Sequence, residues 1–158
     1  MMQESNAARV NIFGVDYIHI QSQGDLYITK YGEPFLEHLL PENWNDKRYY
    51  DQHPDKKVVL PGSGKPYRLE TQPVDGKSVL VVIKWCRIGT YTYIAKSPRM
   101  DFISDEDITN ASWNGPFQEF GLLEEFRGTN KFFDKQIRTQ IPLAIFSPEE
   151  RTELWRTG

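Results

Sequence analysis

Short apolar stretches separated by turn-forming residues are the feature that most limits what this chain can fold into. Three such stretches lie near the start, at residues 10–13, 17–20 and 26–29, and glycine and aspartate fill the gaps between them. Short runs rich in β-branched and aromatic residues, bounded by Gly or Asp, are typical of antiparallel strands joined by tight turns. The pattern therefore predicts a strand meander in this part of the chain.

A second group of apolar stretches lies between residues 57 and 86. The first stretch, 57–60, ends at a Pro-Gly-Ser-Gly turn, and the second covers residues 67–71. An Asp-Gly pair, which favours a tight hairpin turn, then precedes the third stretch at 78–86. We therefore expect a three-stranded antiparallel sheet whose first turn carries glycine.

Helix signals complete an α+β pattern. A short amphipathic helix is predicted over 33–40, and a longer one runs between Pro116, a residue favoured at the first helical position, and Gly128, a helix stop. Residues 42–57 are polar and read as a linker or surface loop, and 87–113 read as a long insertion. One or two strands within 136–146 are expected on the same sheet as 57–86, followed by a short helix at 149–155. The predicted organisation is a β-rich N-terminal extension, 1–56, and a second domain, 57–158.

Composition narrows the classes of function. The formal net charge of −3 argues against a nucleic-acid partner, because phosphate binding usually needs a basic surface. The first residues are polar and no apolar run approaches the length of a membrane-spanning helix, so we expect no membrane association. With Cys86 as the single cysteine, a disulfide framework is impossible. A soluble cytoplasmic protein is the expectation.

Two charged residues fall where the apolar periodicity predicts burial. Alternation along the third stretch puts Lys84 on the same face as Val82. At about 100° per residue, Glu119 falls within the apolar stripe that contains Leu122 and Phe126. Since an unpaired charge on an apolar face is costly, each residue needs the other. We predict that the Lys84 nitrogen lies within about 4 Å of a Glu119 carboxylate oxygen.

The order of a glycine-bearing turn, a Val-Val-Ile-Lys strand and a helix with an inward glutamate resembles the small lobe of protein kinases. In that family the turn covers the ATP phosphates, the strand lysine contacts the α- and β-phosphates, and the helix glutamate orients the lysine. The resemblance covers roughly residues 57–148. It implies ATP binding at the matching positions, which are Gly62, Gly64, Leu69, Val82, Lys84 and Glu119.

The chain departs from the kinase pattern in ways that limit the implied activity. Tyr67 stands where the family has its third glycine, and Val82 where it has alanine. The motifs H-R-D-x-x-x-x-N and D-F-G do not occur, so the resemblance implies no catalytic residue and no metal ligand here, and leaves Mg²⁺ binding open. The chain alone is expected to transfer no phosphate.

The resemblance also implies a missing partner. A catalytic lobe would come from another chain or from a longer parent protein, and its absence predicts an open apolar groove or self-association. The predicted lining of that groove is Leu60, Leu69, Val82 and residues 143–146. Two alternatives stay open at this point. One is an intracellular protein-interaction module without nucleotide binding, and the other is a β-rich domain that binds a carbohydrate or another ligand through its tryptophans.

Overall fold

The computed structural model of the protein describes residues 7–62, 65–85, 115–129 and 138–149. These residues form two antiparallel sheets, several short helical segments and one long helix, so the α+β class predicted from the sequence is confirmed. The predicted insertion at 87–113 and the predicted helix at 149–155 lie outside the described residues, apart from residue 149.

The first sheet contains the predicted meander. Strands β1 (Ala8–Ile12), β2 (Val15–Gln21) and β3 (Gly24–Thr29) pair in order, and a fourth strand, β7 (Ala144–Pro148), pairs with β3. The β1–β2 turn is made by Phe13 and Gly14, both with positive φ, of 50° and 78°. Glycine tolerates this region freely, which is why a two-residue turn can close here.

The second sheet is the predicted three-stranded unit. Strands β4 (Lys57–Val59), β5 (Tyr67–Glu70) and β6 (Leu80–Ile83) pair antiparallel in the order β4-β5-β6. Beyond the β4–β5 ladder, the Leu60 amide donates to the Pro66 carbonyl at 2.8 Å. Between β5 and β6, Asp75 and Gly76 adopt positive φ, as the Asp-Gly signal predicts.

The placement of the last strand differs from the prediction. Strand β7 does not join β4–β6 but pairs with β3 of the first sheet, with Ile28 opposite Ala144 and Leu26 opposite Phe146. The Thr29 hydroxyl donates to the Pro142 carbonyl at 2.6 Å, and this bond holds the segment just before β7 against the end of β3. A strand's own apolar pattern specifies which of its faces is buried but not which sheet it joins, and this is why the sequence-based pairing was wrong.

Residues 42–57 are also not the loop that their polarity suggests. A first helical segment, made of Glu33–Phe35 and α1 (Leu36–Leu39), precedes them. A 3₁₀ turn, Pro41–Asn43, follows α1 and overlaps the start of this range, which also contains helix α2 (Lys47–Gln52) and a second 3₁₀ turn, Pro54–Lys56. The Asp46 side chain caps α2 by accepting from the Tyr49 amide at 3.2 Å. Two aromatic residues of this segment, Trp44 and Tyr50, are buried and belong to the hydrophobic core.

One hydrophobic core joins the two sheets. It combines Ile20, Leu26 and Ile28 of the first sheet with Tyr67, Leu69 and Val81 of the second, and Leu39, Trp44 and Tyr50 of the helical segments. A hydrogen bond reinforces this core, since the Tyr50 hydroxyl donates to the Glu70 carbonyl at 2.9 Å. The core therefore draws on residues from both sides of residue 57.

The long helix α3 (Pro116–Thr129) covers the opposite face of the first sheet. Phe117 packs edge-on against the rings of Tyr17 and Tyr27, with centroid distances of 5.6 and 5.0 Å. The predicted apolar stripe is not the buried one, because Leu122 and Phe126 are 55% and 56% exposed. No helix in the described ranges is long and apolar enough to cross a membrane.

Candidate functional site

Lys84 and Glu119 form an ion pair at the point where the second sheet meets the start of α3. The Lys84 ammonium donates to both carboxylate oxygens of Glu119, at 3.1 and 3.2 Å. The prediction that the Lys84 nitrogen lies within about 4 Å of a Glu119 oxygen is confirmed. The prediction that both charged side chains are buried is wrong, since they are 46% and 43% exposed. A half-exposed ion pair contributes only about 0–1 kcal/mol to folding.

Strand register places Lys84 at the turn end of the second sheet. In the β5–β6 ladder Tyr67 pairs with Ile83, and Lys84 is the next residue along the chain. It therefore lies where the ladder reaches the Gly62 turn rather than at the opposite end, where Glu70 pairs with Leu80. The lysine and the turn therefore lie at the same end of the second sheet.

The turn itself depends on glycine at one described position. Gly62 has φ of +142°, a backbone conformation that residues with a side chain rarely adopt. Lys65 also has positive φ, 44°, which is uncommon for a residue with a side chain. The other predicted glycine, Gly64, lies outside the described residues.

Tyr67 does not obstruct the face that carries Lys84. Its side chain is buried in the core, on the side of the sheet opposite to Val82. Burial raises the pKa of Tyr67 to about 12, and the Lys57 ammonium lies 4.5 Å from the centre of its ring. The bulk that replaces the family's third glycine therefore points away from the Lys84 side of the hairpin.

Leu69 is not brought to the site. It is 1% exposed and pairs with Val81, whereas Val82 pairs with Arg68, so Leu69 and Val82 lie on opposite faces of the sheet. The prediction that both line one open groove is therefore wrong, because the register could not be deduced from alternation within single strands.

The rest of the predicted groove is also dispersed. Leu60 is half-buried, and residues 143–146 belong to the first sheet, with Ile145 in its core. Only Val82, which is 60% exposed, keeps its place, and the exposed Leu80 lies beside it on the same face. The exposed apolar side chains next to Lys84 thus lie on β6. Leu122 and Phe126 are also exposed, at positions of α3 that share a helix face with Glu119.

A second cation, Arg68, lies on this face beside the Lys84–Glu119 pair. Arg68 is exposed on the same side of the sheet as Val82 and Lys84, and among the described residues it forms no ion pair within 4.0 Å. Glu70, the single acidic residue of β5, is paired with Lys56 at 2.9 Å. Arg68 was not predicted as a site residue from the sequence. Its position between Tyr67 and Leu69 was the available signal, because a residue between two buried strand residues faces the opposite side of the sheet.

The arrangement can hold an anion but does not supply a metal centre of its own. Lys84 and Arg68 offer donors on one face, and Glu119 fixes the direction of the lysine. Within the described residues, no group of three or more His, Cys, Asp or Glu side chains lies close enough to hold a metal ion.

Comparison of the chain with protein-family models, with curated proteins and with solved structures gives no match in any of the three.

Proposed function

We propose that this chain is a nucleotide-binding lobe similar to the small lobe of protein kinases, and that it binds ATP through Lys84. The observation that carries the proposal is the ion pair between Lys84 and Glu119, two residues that lie 35 positions apart and meet at 3.1 Å. In the kinase pattern a strand lysine pairs with a glutamate of the following helix, and Lys84 and Glu119 stand at the corresponding positions of this chain. The pair adds little to folding, and the role we assign to it is to orient Lys84 towards a ligand.

Each described residue of the site has a distinct role in this proposal. Lys84 contacts phosphate oxygens, and Glu119 holds its ammonium at the turn end of the hairpin. Gly62 lets the backbone of the turn approach the phosphates without a side chain in the way. Val82 and Leu80 offer exposed apolar surface to the base, and Arg68 adds a second positive charge on the same face.

The proposed activity is binding without phosphate transfer. Transfer requires a base and metal ligands in addition to the lysine–glutamate pair, and the sequence motifs that supply them in kinases do not occur in this chain. A catalytic lobe would have to be contributed by another chain or by further sequence of a parent protein. Magnesium would arrive with the nucleotide rather than on protein ligands of the described residues.

A fluorescent ATP analogue, N-methylanthraniloyl-ATP, tests the proposal by anisotropy. Removing one charge-assisted hydrogen bond costs about 1.5–3 kcal/mol, so Lys84→Met should weaken binding by about tenfold or more. Glu119→Gln should weaken it to a smaller degree, because the lysine stays but loses its orientation. Lys77→Met is the matched control, since Lys77 is an exposed lysine in the turn between Gly76 and β6, at the end of the hairpin far from Gly62.

The outcomes separate clearly. Binding that is lost in Lys84→Met and kept in Lys77→Met supports the site. Equal loss in both variants would indicate nonspecific attraction between ATP and surface lysines. The absence of binding by the unmodified chain at millimolar nucleotide would overturn the proposal.

A second candidate function, a protein-interaction module, is favoured by one specific observation. Leu80, Val82, Leu122 and Phe126 are each more than half exposed, and two of them share a helix face with Glu119. Clustered exposed apolar side chains mark interaction surfaces on soluble proteins. Sedimentation velocity over a range of concentrations would show self-association that Leu122→Glu and Phe126→Glu abolish. A monomer at every concentration would count against self-association through this surface.

A further inference from the structure

An open cavity of about 270 Å³ lies between helix α2 and strands β4 and β5. Its floor is aromatic, because Trp44, Tyr50 and Tyr67 all line it and are otherwise buried in the shared core. Pro54 adds further apolar surface at the side. Pockets for small molecules usually measure about 300–1,000 Å³, so this cavity suits a ligand at the small end of that range.

Charges of both signs line the same cavity and cancel. Two cations, Lys47 and Lys57, stand against two anions, Asp46 and Asp51. Among the described residues, none of the four belongs to an ion pair within 4.0 Å. Opposite charges that share one cavity without pairing leave space between them, and that space suits a ligand that itself carries both charges.

Asp51 and Lys57 are the two charged residues best placed to meet such a ligand. Asp46 already caps helix α2, since its carboxylate accepts from the Tyr49 amide. Asp51 is exposed, and its carboxylate accepts no hydrogen bond from the described residues. The Lys57 ammonium lies 4.5 Å from the centre of the Tyr67 ring, so this cation is next to the aromatic floor.

We propose that the cavity binds a free α-amino acid with an apolar side chain. Such a molecule carries an ammonium and a carboxylate at neutral pH but no net charge, which matches the balanced charges of the walls. Its ammonium donates to Asp51 and its carboxylate accepts from Lys57, and both are charge-assisted hydrogen bonds. Its side chain covers the exposed parts of Trp44 and Tyr50 and so removes apolar surface from water.

The inference does not rest on nucleotide binding. Lys84, Glu119, Val82 and Arg68 do not line the cavity, and Tyr67 lies on the face of the second sheet opposite to Val82. The two sites therefore share no ligand-binding residue, and each can be tested without the other.

Amide chemical shifts recorded during a titration with L-leucine test the proposal. Shifts should concentrate at the lining residues Asn45, Asp51, Lys57 and Tyr67, with saturation in the millimolar range because a ligand of this size makes few contacts. Three analogues each lack one part of leucine: glycine lacks the apolar side chain, 3-methylbutylamine the carboxylate and 4-methylpentanoate the ammonium. Each should bind about tenfold more weakly than leucine.

Two variants and a control assign the charged contacts. Asp51→Asn should weaken leucine about threefold to tenfold but leave 4-methylpentanoate, which has no ammonium, unaffected. Lys57→Met should weaken leucine to a similar degree but leave 3-methylbutylamine, which has no carboxylate, unaffected. Asp55→Asn is the matched control, since Asp55 is an exposed aspartate nearby that does not line the cavity. Asp51 and Lys57 are themselves exposed, so both variants should fold.

Three results would overturn the assignment. The first is equal binding of leucine and the analogues, and the second is equal weakening of leucine by Asp51→Asn and Asp55→Asn. The third is a lack of any shift at the cavity amides at a leucine concentration of about 50 mM, well above the millimolar range expected for so small a ligand. Affinity for the ATP analogue should be the same in Asp51→Asn as in the unmodified chain, so failure here is distinguishable from failure of the Lys84 site.

Discussion

Truncating Leu69 and Val82 to alanine tests which face of the second sheet is the core and which can meet a ligand. Leu69 is 1% exposed and packs in the shared core, whereas Val82 is 60% exposed on the other face. Truncation of a fully buried leucine costs the transfer free energy of the lost atoms plus the cavity left behind, together about 2–5 kcal/mol. Truncation of an exposed valine changes stability by about 0.5 kcal/mol or less.

The free energy of unfolding can be measured for both variants by urea denaturation followed by far-UV circular dichroism. Leu69→Ala should lower it by at least about 2 kcal/mol, which is a large part of the stability of a domain of this size. Val82→Ala should leave it nearly unchanged but weaken binding of the ATP analogue, because it removes apolar surface beside Lys84. The two variants thus separate stability from binding.

Equal destabilisation by the two variants would refute the register rather than a single contact. Because side chains alternate, a slip of one residue between β5 and β6 would put Leu69 on the same face as Val82 and Lys84, as the kinase pattern predicts from the sequence. A reversed result, with Val82→Ala destabilising and Leu69→Ala neutral, would contradict the assignment of the buried face.

The remaining predictions concern charge, activity and pH. A double-mutant cycle with Lys84→Met and Glu119→Gln should give a coupling energy in unfolding of about 0.2–1 kcal/mol, because the pair is half-exposed. This coupling should fall further in about 0.5 M NaCl, which screens exposed charges. A coupling energy well above this range would mean that the pair stabilises the fold. Radiolabelled ATP should transfer no phosphate to generic acceptors above a Lys84→Met background, and turnover that depends on Lys84 would contradict this. Tyr17 and Tyr67 have folded-state pKa values raised from 10.0 to about 12, so their contribution to stability is complete below pH 10 and is lost between pH 10 and about 12. Tyr17→Phe should flatten the fall of unfolding free energy in that window, and an unchanged slope would contradict the assignment.

The sequence predicted the elements of this fold better than their arrangement. Both hairpins, the long helix and the distance between Lys84 and Glu119 follow from local patterns, because turns and alternation act over a few residues. The partner of β7 and the buried face of α3 depend on contacts between distant segments, for which a single sequence has no local signal. On α3 the misleading residues were Leu122 and Phe126, whose apolar character suggested a buried stripe although they are exposed.

The buried charge on α3 shows why the site was only partly predictable. Glu119 was expected to be buried, yet its side chain is 43% exposed, and the more buried carboxylate is that of Glu124, whose side chain is 19% exposed. The helix is rotated so that Phe117 and Phe120 meet the first sheet, and this rotation carries Glu124 towards Lys30. Lys84 could still reach Glu119, because a half-exposed lysine is long enough to follow a carboxylate at the edge of the contact.

The position of Glu119 depends on the first sheet, and this leads to a test of the domain division suggested at residue 57. Helix α3 rests on β2 and β3 through Phe117 and is tied to them by the pair of Lys30 with Glu124. Strand β7 has β3 as its partner, and the shared core loses Ile20, Leu26 and Ile28 if residues 1–56 are removed.

A fragment of residues 57–158 should therefore be unfolded. Its amide spectrum should show poor dispersion, and it should bind no ATP analogue, because Lys84 would have no positioned glutamate. The full chain is the control. A fragment that folds and binds the analogue as the full chain does would show that the second sheet and α3 form an independent domain, and that their contacts with the first sheet are accessory.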